Sequence, residues 1–199
     1  MPSPVERFYR AVQRALRLIL SPDKEWRAVA SEPPESRSIL ASFVLPLACI
    51  PAAAWCFNLS VFGGEGGHDG ERAAIGLSQV LSGGLTVWIS SVLSILVLAT
   101  SVYVLAPLFV HGRDWPGALK VAAFSAAPVL LGGAILAVPD VAYTILLPVF
   151  HSFYLQYSGL QHVLGVKEDS AAEYVALSIV LCAIASTALG ALGGALGVL

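Results

Sequence analysis

LTVWISSVLSILVLATSVYVL, residues 85–105, decides how this chain folds, because it sets how often the backbone crosses a bilayer. Its 21 residues carry no charge, and as a helix they reach about 30 Å, the thickness of a hydrocarbon core. The uncharged interval around it is longer, from Ala73 to Gly112, so two crossings must be considered. A hairpin there would turn at Ser82-Gly83-Gly84 and leave only AAIGLSQVL, residues 73–81, on its outer side. That falls well short of the roughly 20 residues a span requires. One span preceded by an amphipathic approach is the better reading.

Four other intervals lack Asp, Glu, Lys and Arg altogether: Ser38 to Gly64, Val121 to Pro139, Val141 to Val166 and Tyr174 to Leu199. The whole chain is 57% hydrophobic and 12% charged, against about 25% charged for a soluble domain. The expected fold is therefore all-α, a five-span membrane bundle with spans near 39–62, 85–106, 118–138, 141–164 and 174–196, following an N-terminal region 1–37. Lysine and arginine orient it. Arg7, Arg10, Arg14, Arg17, Lys24, Arg27, Arg37, Arg113, Lys120 and Lys167 fall on one side and only Arg72 on the other, which places the N-terminus inside and the C-terminus outside. A six-span layout would move Arg113, Lys120 and Lys167 to the far side and weaken that bias. Trp26, Trp115 and Tyr174 then sit at the inner interface and Trp55, Trp88 and Tyr143 near the outer one, where amphipathic rings prefer to lie.

Residues 1–20 do not read as a signal peptide, since four arginines interrupt the apolar positions. Val5, Phe8, Tyr9, Val12, Leu16, Ile19 and Leu20 recur at helical spacing with Arg7, Arg10, Arg14 and Arg17 centred opposite. This predicts a helix over 5–20 lying in the headgroup plane, its arginines facing anionic lipid; packing on the inner ends of the bundle is the alternative. Ser21 as N-cap, Pro22 at the first helical position and Asp23 and Glu25 in the first turn open a second, short helix over about 22–30. It ends before Pro33-Pro34 and is anchored by Trp26 at the membrane boundary or the bundle end. Together these segments form a cytoplasmic collar.

The Ser-Pro-x-x-x-Trp helix ahead of a first span containing VLPLACIP resembles the prokaryotic members of the Yip family, five-span proteins named for interacting with Ypt/Rab GTPases. So do LAPLFVHGRDWPGALKVAAFSAAP, with Gly112, Ala118-Leu119 and Pro128, and SFYLQYSGLQHVLG, an aromatic span ending in glycine. Where relatives carry a Tyr-Ser-Tyr-like cluster, this chain has Phe124-Ser125-Ala126-Ala127, so no role is transferred to those tyrosines. The resemblance implies a non-enzymatic membrane adaptor or organiser, in the inner membrane of a prokaryote, acting through protein or lipid partners. Eukaryotic relatives are trafficking factors at the Golgi, and no partner transfers with them.

Within the spans, Tyr143, Leu147, His151, Tyr154, Ser158 and Gln161 or His162 form a polar stripe on the fourth. An ionisable histidine at that depth suggests a site, and a small-molecule or ion transporter or channel using the stripe is the alternative function; interhelical hydrogen bonding is the structural explanation. Pro46, Pro51, Pro128 and Pro148 are expected to kink their helices. Ser186, Gly190 and Gly194, and likewise Gly193 and Gly197, have the small-xxx-small spacing of close helix packing, within the chain or between two copies. Cys49, Cys56 and Cys182 read as packing residues. No HExxH, paired-cysteine, GxSxG, P-loop or dinucleotide motif is present, so no metal, cofactor or catalytic residue is expected. With net charge −2, nucleic acid is not expected as a partner.

Overall fold

A computed structural model describes residues 3–33, 35–63 and 76–195, all helix or short connection among those residues. Pro34, Arg72, residue 196 at the expected end of the last span and Gly197 lie outside them. Two short helices, α1 (Pro4–Leu20) and α2 (Pro22–Ser31), precede α3 (Ser36–Phe62). Then come α4 (Leu77–Phe109), α5 (Trp115–Ala137), α6 (Leu146–Leu164) and α7 (Glu168–Ala195). Four of these, α3, α4, α5 and α7, are long and apolar enough to cross a membrane, with mean hydropathy of 1.8 to 2.3 over their best windows. The chain is a multi-pass all-α membrane bundle. The expected fourth span, α6, is not among the four, because two glutamines, two histidines and two tyrosines dilute its apolar residues.

Local chemistry explains the boundaries. Ser3 caps α1 by accepting the Glu6 N–H at 3.2 Å, with Pro4 next to it at the first helical position. Ser21 stands at the N-terminus of α2, but its hydroxyl makes no cap bond; its backbone carbonyl instead accepts the Glu25 N–H. The expected side-chain cap is thus absent because Ser21 also ends α1, its own N–H bonding to the Arg17 carbonyl. α4 runs as one helix through Ser82-Gly83-Gly84 with no turn. Those glycines serve contact: a Cβ on Gly84 would strike the Cys56 Sγ of α3, and one on Gly83 would lie 2.8 Å from the Trp55 indole nitrogen.

The four prolines expected to kink their helices sit in different backbone settings. A π-helical turn, Leu40–Val44, immediately precedes Pro46, and Pro51 lies inside α3. α5 breaks at Ser125–Ala126, restarts with Pro128 in its first turn and tightens to 3-10 over Gly133–Ala137. Pro148 differs from expectation. It sits in the first turn of α6, after a 3-10 segment Pro139–Ile145, where its missing N–H removes no α-helical bond. Pro107, near the end of α4, is an interior proline the sequence reading passes over.

α5 is the central helix, buried at every position from Gly117 to Ser125. Its glycine pair meets prolines on both sides: a Cβ on Gly133 would lie 2.7 Å from the Pro51 Cβ of α3, and one on Gly132 would lie 2.6 Å from the Pro148 Cγ of α6. Apolar attraction between helices is weak in lipid, so close backbone approach of this kind supplies much of the packing. Gly133→Ala is expected to cost about 1–3 kcal/mol by overpacking. Gly190→Ala, whose Cβ would meet open space, should be neutral or raise the melting temperature through helix propensity. Thermal unfolding of the two variants in one detergent checks the contrast.

Candidate functional site

The collar is held by a buried cation. Lys120, one turn into the apolar α5, is 5% exposed and donates to two carbonyls at the C-terminal end of α2, Val29 O at 2.9 Å and Glu32 O at 2.7 Å. These carbonyls lie at the negative end of the α2 dipole, where Val29 O also accepts the Glu32 N–H at 3.3 Å. The ammonium therefore finds acceptors where hydrocarbon would offer none. In the sequence Lys120 reads only as one more inner-side charge near the start of the expected span 118–138; its two carbonyl partners on α2 appear only in the structure.

Trp26 faces inward rather than toward a membrane surface. It is 0% exposed, packs edge-on against Phe124 of α5 with centroids 6.3 Å apart, and lies over Gly159 of α6, where a Cβ would come within 2.7 Å of the ring. Arg14 is also misplaced by the sequence reading. Its guanidinium lies 4.5 Å above the Phe124 ring and pairs with Glu25 at 3.2 Å and Glu32 at 2.6 Å, so it ties α1 to α2. Arg10 and Arg17 are exposed and pair with Glu6 and Glu25, and Arg7 is exposed as well. A cleft of about 500 Å³ runs beneath α1, lined by all four arginines with Glu32 and Lys120 among its other walls.

α1 proves to have three faces where the periodicity shows two. Ala11, Ala15 and Leu18 are buried against Phe43, Phe124 and Ala127. Of the apolar set read from spacing, Val5, Phe8, Tyr9, Leu16 and Leu20 remain exposed while Val12 and Ile19 are half-buried, and Arg7, Arg10 and Arg17 occupy the third side. Alanine carries too little hydrophobicity to mark a buried strip by pattern alone, which is why the bundle-facing side escapes a sequence reading.

The polar stripe does not form one surface. Tyr143 and Tyr154 point outward at 72% and 48% exposure, and Leu147 does the same. Ser158 is buried and lies 3.4 Å from the His162 ring, whose Nδ1 also meets the Ser158 carbonyl at 2.9 Å. Gln161 reaches back to the Tyr157 carbonyl at 3.5 Å. His151 is half-buried beside Tyr154, its Nε2 enclosed and without a hydrogen-bond partner among the described residues, and it lines neither of the two cavities described here. The polar link that does cross between helices is Gln156 to Ser178, 2.7 Å long and fully inside the bundle, with Ser178 donating on to Val175 O. No period announces it, since its two residues lie on different helices. Tyr174, expected at the inner interface, is buried instead, stacked on Phe109 at 4.4 Å and donating to Val102 O at 2.5 Å. Among the described residues no three of His, Cys, Asp and Glu converge on a point that would hold a metal ion.

A helical collar seated on a multi-pass bundle is the arrangement to compare with known proteins. A family model described as the Yip1 domain matches residues 16–190, from the end of α1 through most of α7. The chain belongs to the Yip1 domain family. No curated protein and no solved structure matches it. The Yip1 match takes in Lys120, Trp26, Phe124 and Gly159, so the collar dock lies inside the family domain, whereas most of α1 precedes it.

Lys120→Met should release α2 from α5. Hydrogen bonds to a charged group are worth about 1.5–3 kcal/mol each, so a clear fall in melting temperature and faster tryptic cleavage at Lys24 and Arg27 are expected. Unchanged cleavage in detergent would remove Lys120 from this role.

Proposed function

We propose that this Yip1-domain protein is a non-enzymatic membrane adaptor or organiser whose working surface is the outer side of α1. It crosses the membrane five times, with α6 as the fifth crossing, the collar in the cytoplasm, the C-terminus on the opposite side, and the inner membrane of a prokaryote as its location. The observation carrying the functional reading is that α1 turns Ala11, Val12, Ala15, Leu18 and the Arg14 side chain to the bundle while Val5, Phe8, Tyr9, Leu16 and Leu20 stay exposed. Its exposed apolar set and its exposed arginines are left for anionic lipid and a protein partner. A helix whose apolar and basic sides both face outward suits the headgroup boundary.

Charge and packing support the topology. Lys and Arg residues are segregated 10 to 1 between the two sides of a five-span layout. At 19 residues α6 is about 28 Å long, close to a hydrocarbon core, and it packs between α5 and α7, two helices apolar enough to span. A non-enzymatic role is supported by the missing catalytic motifs.

A photo-crosslinking residue at Phe8 or Tyr9, activated in native membranes, should give a discrete protein adduct that weakens at least several-fold in an Arg7→Ala, Arg10→Ala, Arg17→Ala triple variant. Lipid adducts alone, with a monomer on purification, would defeat the adaptor reading. Tags at the two termini should be protected from protease on opposite sides of the membrane; protection of both together would defeat the five-span topology.

A further inference from the structure

A second cavity, of about 600 Å³, lies among the middle of α4, the bend of α5, α6 and α7. Sites for small molecules span about 300–1,000 Å³. Its walls are apolar apart from a few side chains, and no Asp, Glu, Lys, Arg or His lines it. Polar rows at four-residue spacing face it from two helices, Thr86, Ser90 and Ser94 on α4 and Ser152 and Gln156 on α6, with Ser91, Ser125 and Cys182 as its other polar side chains. That spacing puts each row on one side of its helix.

Ser152 is the telling residue. A serine or threonine inside a helix commonly satisfies its hydroxyl by donating to the carbonyl four residues back. Ser91 does so to Val87 at 2.7 Å, Thr100 to Leu96 at 2.8 Å and Ser101 to Val97 at 2.9 Å. The Ser152 Oγ is buried and has no partner among the described residues. One turn on, Gln156 commits its Nε2 to Ser178, which leaves its carbonyl oxygen as the acceptor end of the amide. An unpartnered hydroxyl and an amide oxygen thus stand a helical turn apart beside an apolar chamber, and a buried hydroxyl of this kind calls for a partner.

We infer that this cavity binds an uncharged single-chain lipid, its acyl chain along the apolar walls and its ester or hydroxyl oxygens on Ser152 and Gln156. The absence of lining charge selects against a phosphate or carboxylate headgroup, which would be left desolvated and unpaired. The hydroxyl and amide select for a chain with oxygen functions over a plain alkane. The surrounding helices α4, α5 and α7 are those apolar enough to span, so the chamber opens within the bilayer's own pool of acyl chains. This site is independent of α1 and of the adaptor reading.

The test uses the full chain in detergent and a monooleoylglycerol carrying a diazirine in its acyl chain. Saturable labelling is expected on peptides covering residues 86–98 and 145–156, displaced by unlabelled monooleoylglycerol and at least ten-fold less well by 1-oleoyl lysophosphatidic acid. Ser152→Ala should weaken apparent affinity roughly five-fold, the loss of one hydrogen bond, without moving the labelled positions. Ser94→Phe should fill the chamber and abolish labelling at an unchanged melting temperature; if it does not fold, Ala183→Leu blocks the same chamber from α7. Equal displacement by the lysophosphatidic acid would overturn the proposal. So would non-saturable labelling spread over the exposed Leu177, Val180 and Ile184 side of α7, or labelling indifferent to either blocking substitution.

Discussion

A lysine ammonium placed among apolar side chains has to find oxygen, and in this protein it finds the last carbonyls of another helix. Lys120 sits where α5 is otherwise alanine, leucine, valine and phenylalanine, and the end of α2 supplies its acceptors. The arrangement resolves two costs at once: the charge would be expensive in hydrocarbon, and the helix-end carbonyls would be expensive if buried without donors. Because both partners need each other, the collar has one seat. Trp26 over Gly159, Arg14 over Phe124 and the Arg14 pairs with Glu25 and Glu32 then follow from where α2 is held.

The rest of the bundle coheres by a different principle. Where lipid competes on equal terms for apolar surface, shape and hydrogen bonds decide. Gly132 and Gly133 seat α5 between two prolines, Gly84 brings α3 and α4 together at Cys56, and Asn58 of α3 donates to the Leu136 carbonyl at 3.0 Å, at the 3-10 end of α5 where the α-helical ladder has ended. Gln156 and Ser178 add a buried side-chain link between α6 and α7. Each device works over a short range, so the bundle tolerates bends in α3 and α5 provided that these contacts stay in register.

Helices were legible in the sequence because charge and proline punctuate it. Within the uncharged interval around residues 85–105, Leu77–Phe109 is a single helix, and the segments beginning at Pro4 and Pro22 lie within a residue or two of their expected bounds. What a helix faces was harder to read. Trp26 and Tyr174 look like interface aromatics by position, yet both are sealed, since a large ring also fills the gap left opposite a glycine or beside another ring. The stripe from Tyr143 to Gln161 starts in the 3-10 segment before α6, and along α6 Leu147 and Tyr154 point outward while Ser158 is buried, so periodicity alone could not say that its members form no single surface. The polar residues of most interest, Lys120, Ser152 and Gln156, gain their meaning from partners on other helices or from lacking one, and neither is written in local spacing.

The wide turn at Leu40–Val44 has a consequence for how the collar is aimed. A hydrogen-bond ring that closes on the fifth residue instead of the fourth inserts one extra position, and one position is about 100° of azimuth on a helix. Ile39 just before that turn, Phe43 and Val44 within it and Leu47 beyond it are all buried, so the wider turn itself lies against the core. The turn is a joint between the collar and the first long apolar helix, with its excess residue stored just before Pro46, whose missing amide hydrogen makes a regular ladder there unattainable in any case.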